Sequence, residues 1–302
     1  MNTKTNSWGA LMVIGCAILW GTVGVTTRGI YTVSDANPLS IGFFRLAFSV
    51  PVLLALAVRS VGGNLLAPRT GVAPAQGRDA ALMVGLGAMM ALYQVAYFAA
   101  IPRLGVTIAV IITICSAPIM VAVLSAILFK EKVTTRVLFA LGAAIAGTTL
   151  LALQQPVDAG KGVDLTGILF ALGSGLGYAT LTLFSRGLAE RYHPLQPITI
   201  AFTIGALLLL PIALGSGLTV DFPAVGWGLL IYLGIVPTAL AYWVFLLALR
   251  TVPPTIASIL TLLEPLTSAI LAAVIFGETL APLGWVGAAL LLVALAVLLF
   301  RR

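Results

Sequence analysis

The chain has 302 residues, 61% of them apolar and only 8% charged, with a net charge of +7. Soluble domains carry roughly 25% charged residues, so a water-facing surface cannot be built from this supply and a soluble domain is excluded. The basic residues are scattered singly at the ends of apolar runs, which removes the patch that nucleic-acid binding would need.

Long Leu-, Ala- and Gly-rich runs also exclude a β-barrel, whose strands would alternate in polarity over about ten residues. A membrane helix takes about 20 apolar residues. The apolar runs and their polar breaks predict ten spans, at 9–28, 38–59, 79–101, 105–128, 135–153, 164–186, 196–214, 226–249, 254–275 and 282–300. The first run is longer than a signal-peptide core and has no convincing small-residue cleavage site, so it reads as a span.

Span one carries Trp20, Gly24 and Thr27 as a semipolar stripe. Span two contains Arg45, about seven residues below one interface, or roughly 10 Å at the α-helical rise. Its long side chain either snorkels to that interface or faces the interior, where it binds a substrate carboxylate or pairs with Glu264. On span three, Tyr93 and Tyr97 are four apart and so share a face. Pro118 in span four is expected to interrupt its helix and free backbone carbonyls, which allows a bend during gating. Span six has Gly173, Gly175 and Gly177, a flexible or closely packing segment, followed by Tyr178, Thr182 and Ser185. Membrane helices also use Gly, Ser and Thr merely to pack closely. Glu264 in span nine sits near the midplane with a stem too short to reach either interface. It serves as a partner to Arg45, a proton carrier, a cation contact or a protonated structural acid. Pro265 beside it is a second expected hinge. Cys16 and Cys115 lie inside apolar runs and read as small buried hydrophobes. His193, the only histidine, falls in a loop and is assigned no proton-relay role.

The connections alternate between two sides of the membrane, which makes the basic residues countable. One side collects Lys4, Arg59, Arg69, Arg78, Lys130, Lys132, Arg136, Arg186, Arg191, Arg250, Arg301 and Arg302; the other has Arg28, Arg103 and Lys161. Twelve against three places both termini in the cytoplasm.

The two halves, 1–155 and 156–302, resemble each other. A shift of 147 lays Phe129-Lys130-Glu131 on Phe276-Gly277-Glu278, Pro118 on Pro265 and Arg103 on Arg250. Nearer the start the shift is 158, which sets Trp20 on Tyr178 and Thr27 on Ser185. Five spans per half is an odd number, so the halves must insert in opposite directions, the arrangement of secondary transporters with a site at the repeat interface. Tyr93 and Tyr97 map to Leu240 and Val244, and Trp243 shares their helical face, whereas Tyr242 points about 100° away. Trp243 is therefore expected to line a cavity and Tyr242 is not.

The paired segments SAPIMVAVLSAILFKE and LEPLTSAILAAVIFGE, with Trp20-Gly21 and Phe44-Arg45-Leu46, resemble the drug/metabolite transporter superfamily in its EamA-type branch. The resemblance covers essentially the whole chain. In length and aromatic content it is most similar to the bacterial aromatic amino-acid exporters. It implies an all-α integral membrane protein of ten helices, two inverted five-helix repeats around a central cavity, with spans five and ten peripheral. It also implies a bacterial cytoplasmic membrane and outward transport.

The expected function is that of a secondary transporter or facilitator that exports small metabolites, amino acids including aromatic ones foremost, by alternating access. Its expected partners are the small-molecule substrate and the lipid bilayer, with no cofactor and no metal, and it is expected to act as a monomer. Amphiphilic cations or drugs are the rival substrates; a membrane sensor, a lipid-handling enzyme or a channel are the rival classes. No HExxH, GxSxG, P-loop or dinucleotide fingerprint is present to support catalysis or ATP drive.

Overall fold

The computed structural model describes residues 7–62, 65–68, 76–153, 164–189, 191–277 and 279–299, and these contain helices and no strand. Lys4, Arg69, Lys161, Glu278, Arg301, Arg302 and the proposed division at 155/156 lie outside the described residues. Among the described residues, ten helices are long and apolar enough to cross a membrane. They are α1 (Ser7–Val33), α2 (Pro38–Val61), α3 (Gln76–Leu104), α4 (Val106–Leu128), α5 (Thr135–Ala152), α6 (Leu165–Ala189), α7 (Leu195–Gly215), α8 (Ala224–Ala248), α9 (Pro254–Phe276) and α10 (Pro282–Leu299).

Most boundaries fall within about three residues of the predicted spans, but α1 runs five residues past Arg28. The Arg28 guanidinium lies 4.1 Å over the Phe276 ring, and the helix continues to the fully buried Ile30. A charge marks the end of an apolar run without ending the helix. Between α3 and α4 the chain turns at Gly105 alone, at φ 79°, a left-handed conformation that a side chain would strain.

Two helices depart from regular α geometry. In α8 an α-helical start (Ala224–Gly234) gives way to a π-helical turn (Ile235–Leu240) before α geometry resumes at Ala241. In α9 the helix breaks at Thr261 and Leu262. Pro265 accounts for the second break. Its ring clashes with the carbonyl four residues back and supplies no N–H to it, and the Thr261 carbonyl accepts instead from the Glu264 N–H at 3.0 Å. Pro118 acts differently: α4 continues unbroken through it, correcting the expected interruption. A single lost bond is tolerated where the proline is buried against neighbouring helices.

Lipid supplies no hydrophobic drive between helices, so close backbone approach carries the packing. Gly147 of α5 and Gly287 of α10 meet reciprocally: a Cβ on the first would lie 2.7 Å from the second's carbonyl oxygen, and the converse distance is 2.6 Å. Gly175 and Gly177 of α6 have the same role, since a Cβ on Gly175 would lie 2.3 Å from Ser116 Oγ and one on Gly177 3.2 Å from Met89 O. No helix break occurs at Gly173, Gly175 or Gly177; Gly175 and Gly177 form a packing face, while a Cβ on Gly173 would meet nothing within 4 Å.

Ser7 and Leu299 lie at one end of the bundle, where Arg136 Nε donates to Val297 O. At this terminal end polar contacts join α3, the α6–α7 connection and the end of α8. Asp79, 3% exposed, accepts from Arg191 Nε at 2.8 Å and from the Tyr192 hydroxyl at 3.0 Å. Arg250 donates to the carbonyls of Ala189 and Tyr192, both at 2.8 Å. Burial, and next the bond to Asp79, push the Tyr192 phenol above its ordinary range, so it stays protonated and donating. At the opposite end, Asn37 caps α2 through Leu39 N–H and donates to Ser216 O at 2.7 Å, tying the α1–α2 connection to the α7–α8 connection.

Candidate functional site

The middle of the bundle gathers aromatic side chains from several helices. Trp20 of α1, 5% exposed, lies 4.9 Å from the Tyr242 ring and 5.3 Å from Phe245, both of α8. Phe202 of α7 meets Tyr242 at 5.1 Å. Gly21 lets α1 press against α9, because a Cβ there would lie 2.9 Å from Glu264 O. The Trp20-Gly21 pair thus supplies one aromatic wall and the close approach that sets α9 beside it.

Tyr93 of α3 and Tyr178 of α6 sit with ring centroids 6.2 Å apart. The Tyr178 hydroxyl is 3.3 Å from Thr261 Oγ1, which in turn donates to Ser258 O at the break in α9. Tyr97, one turn beyond Tyr93, retains accessible surface, as do Tyr93 and Tyr178.

Arg45 is tied to α8. Its Nε donates to Thr238 Oγ1 at 3.2 Å, and Thr238 is fully buried on the π-turn of α8. The guanidinium is thereby held against α8, and the residue keeps intermediate exposure. Glu264 sits at the start of the second segment of α9, within electrostatic reach of Arg45, Tyr93, Tyr97, Tyr178 and Tyr242. Among the described residues its carboxylate makes no hydrogen bond and no ion pair, yet it keeps accessible surface. The two charges are within electrostatic reach of each other without a direct contact.

The structure sets Tyr242, not Trp243, against the Trp20 ring. Tyr242, 4% exposed, has its ring tilted against Trp20 and lies within electrostatic reach of Arg45 and Glu264, whereas Trp243, half-buried, packs against the same core without a ring contact to the cluster among the described residues. Leu240, the position that the repeat pairs with Tyr93, is 41% exposed and faces away. The reason is the π-turn just before these residues. Its wider winding rotates the rest of the helix by up to about 100° relative to a straight α-helix, the angle that separates two successive residues.

The remaining expected residues are distributed unevenly. Gly24 is exposed beside Ser268 of α9, and Thr27 is half-buried. Thr182 is fully buried, and its hydroxyl returns to its own helix at Tyr178 O. Thr238, Thr261 and Gly234 were not foreseen. The signal available was Pro237 inside the span, since proline disturbs a helix and a disturbed helix frees polar groups for function.

The EamA-like transporter family matches the chain twice, over residues 7–153 and 165–300. A Bacillus subtilis (strain 168) protein named uncharacterized transporter YwfM is 31% identical over 96% of this chain and 93% of its own length. An uncharacterized transporter of Archaeoglobus fulgidus is 30% identical over 96% of each chain. A crystal structure superposes with a TM-score of 0.80 at 20% identity, covering 98% of this chain and 99% of that one, which establishes the shared fold. Fold and site together define a multi-pass membrane transporter. The chain belongs to the EamA-like transporter family of the drug/metabolite transporter superfamily.

Proposed function

We propose that this transporter exports small zwitterionic metabolites, amino acids including aromatic ones, across the bacterial cytoplasmic membrane with both its termini on the cytoplasmic side. The observation that carries the reading is an anchored Arg45 within electrostatic reach of a Glu264 that makes no hydrogen bond or ion pair among the described residues, set among Tyr93, Tyr97, Tyr178, Tyr242 and Trp20. A guanidinium takes a carboxylate, a carboxylate takes an ammonium group, and aromatic faces take an apolar or aromatic side chain. An α-amino acid carries all three. The same family match over each half supports two five-helix repeats, and inverted insertion gives the site a symmetric setting for alternating access. The closed network at the terminal end, with accessible surface retained at Tyr97 and Glu264, fits a conformation shut toward the cytoplasm.

Export down a high cytoplasmic amino-acid concentration needs no coupling ion, and we assign the protein a facilitated or weakly coupled mechanism. Counterflow in proteoliposomes across a panel of amino acids and amphiphilic cations tests the substrate class. Exchange of aromatic amino acids, lost when their carboxylate is converted to an amide, is the expected result. Because Glu264 is unpartnered, amphiphilic cations form the second reading, and cation exchange that survives Arg45→Ala would establish it instead.

A further inference from the structure

We infer that Thr238 is a positioning residue that fixes which edge of the Arg45 guanidinium meets the substrate, making the carrier selective for carboxylates that dock end-on. The inference rests on the reading of Arg45 as the carboxylate anchor. A guanidinium offers five N–H groups in a rigid plane, with two edges able to hold two oxygens at once: Nε with one Nη, or the two Nη groups. Thr238 Oγ1 occupies the Nε donor at 3.2 Å. The Nη edge remains for a carboxylate, whose two coplanar oxygens match that fork.

Two independent features show that this seat is built. The first is the behaviour of the hydroxyl. Thr182, Thr199, Thr203 and Thr267 each donate to the carbonyl four residues back. Thr238, among the described residues, makes no side-chain bond to its own helix, and its hydroxyl is directed at Arg45 across the α2–α8 boundary. The second is the approach of the helices. Gly234 precedes the π-turn, and a Cβ there would lie 2.5 Å from Phe48 Cβ and 3.1 Å from Arg45 O. Glycine at this point lets α8 close on the backbone of the residue whose side chain Thr238 holds.

Transport competition by matched ligands tests the assignment: phenylalanine, which has the carboxylate, and phenylethylamine, which lacks it, each competing against labelled amino-acid counterflow. Thr238→Val keeps the shape and removes the acceptor, freeing Nε to turn. Its expected effect is a loss of phenylalanine affinity on the order of tenfold, the worth of one hydrogen bond to a charged group, with phenylethylamine competition unchanged. Thr238→Ser, which keeps the acceptor, restores the ratio. Gly234→Ala, which holds the helices apart, shifts the ratio in the same direction. An unchanged ratio in Thr238→Val, or an equal loss for both ligands, overturns the inference. Failure of the unaltered protein to exchange any carboxylate-bearing amino acid would instead overturn the proposed function, so the two failures are distinguishable.

Discussion

An arginine held inside a membrane protein by a threonine, and a glutamate within its electrostatic reach that makes no hydrogen bond among the described residues, are residues whose replacement separates geometry from charge. Arg45→Lys keeps the charge but loses the planar fork, and is expected to weaken carboxylate binding by on the order of tenfold to a hundredfold, read as a rise in KM in counterflow. Glu264→Gln keeps size and hydrogen-bonding capacity. If the mechanism is facilitated, this variant retains downhill movement of substrate with reduced affinity for the ammonium group. Stoichiometric proton flux with substrate in sealed vesicles, abolished by Glu264→Gln, would overturn that mechanism. Tyr242→Ala removes the ring tilted against Trp20 and is expected to impair transport more than Trp243→Ala; equal losses would mean that this ring contact contributes nothing to transport. Arg45 and Glu264 were legible in the sequence because a charge in hydrocarbon is costly enough to need a reason. Thr238 was not, because a threonine in an apolar helix usually bonds its own backbone, as Thr261 does at Ser258 O, and only the fold reveals the exception.

At the scale of the helix, periodicity and length located all ten elements, because a spanning segment must satisfy its backbone internally and leaves few alternatives. What they could not foresee was winding. One π-turn in α8 is invisible to a pattern read at 3.6 residues per turn, and it reassigned the face of every residue after Leu240. Pro265 was read as a break and is one; Pro118, in an equivalent segment, lies in an unbroken helix. A proline therefore marks where a bond is missing, while neighbouring packing decides whether the helix opens. The closed terminal end gives this scale its prediction. Asp79→Asn removes the charge that holds Arg191 and weakens the contact with Tyr192, so this end should open more often. A cysteine introduced at the fully buried Ser185 is expected to react faster with a thiol reagent in the Asp79→Asn background. Unchanged labelling would mean that the network seals nothing.

For the molecule as a whole, orientation is the property most easily checked. Reporter fusions at Arg136 and Arg191 are expected to read cytoplasmic and those at Ala36 and Asp221 external; the reverse pattern would invert the assignment of every site residue to a membrane side. The backbone seam at Gly147 and Gly287 sets a different kind of limit, on which changes the protein can recover from. Where two side chains touch, enlarging one is offset by trimming the other. Here both partners are already glycine and nothing remains to trim. Gly147→Ala and Gly287→Ala are each expected to lower thermal stability, because the obstacle is backbone and the helices must separate. In a selection for revertants, the opposing glycine should never supply the suppressor. Leu291 and Leu150, whose side chains crowd the same two positions, are where second-site changes should collect, and compensation that maps to the opposing glycine would show that the seam is looser than its geometry.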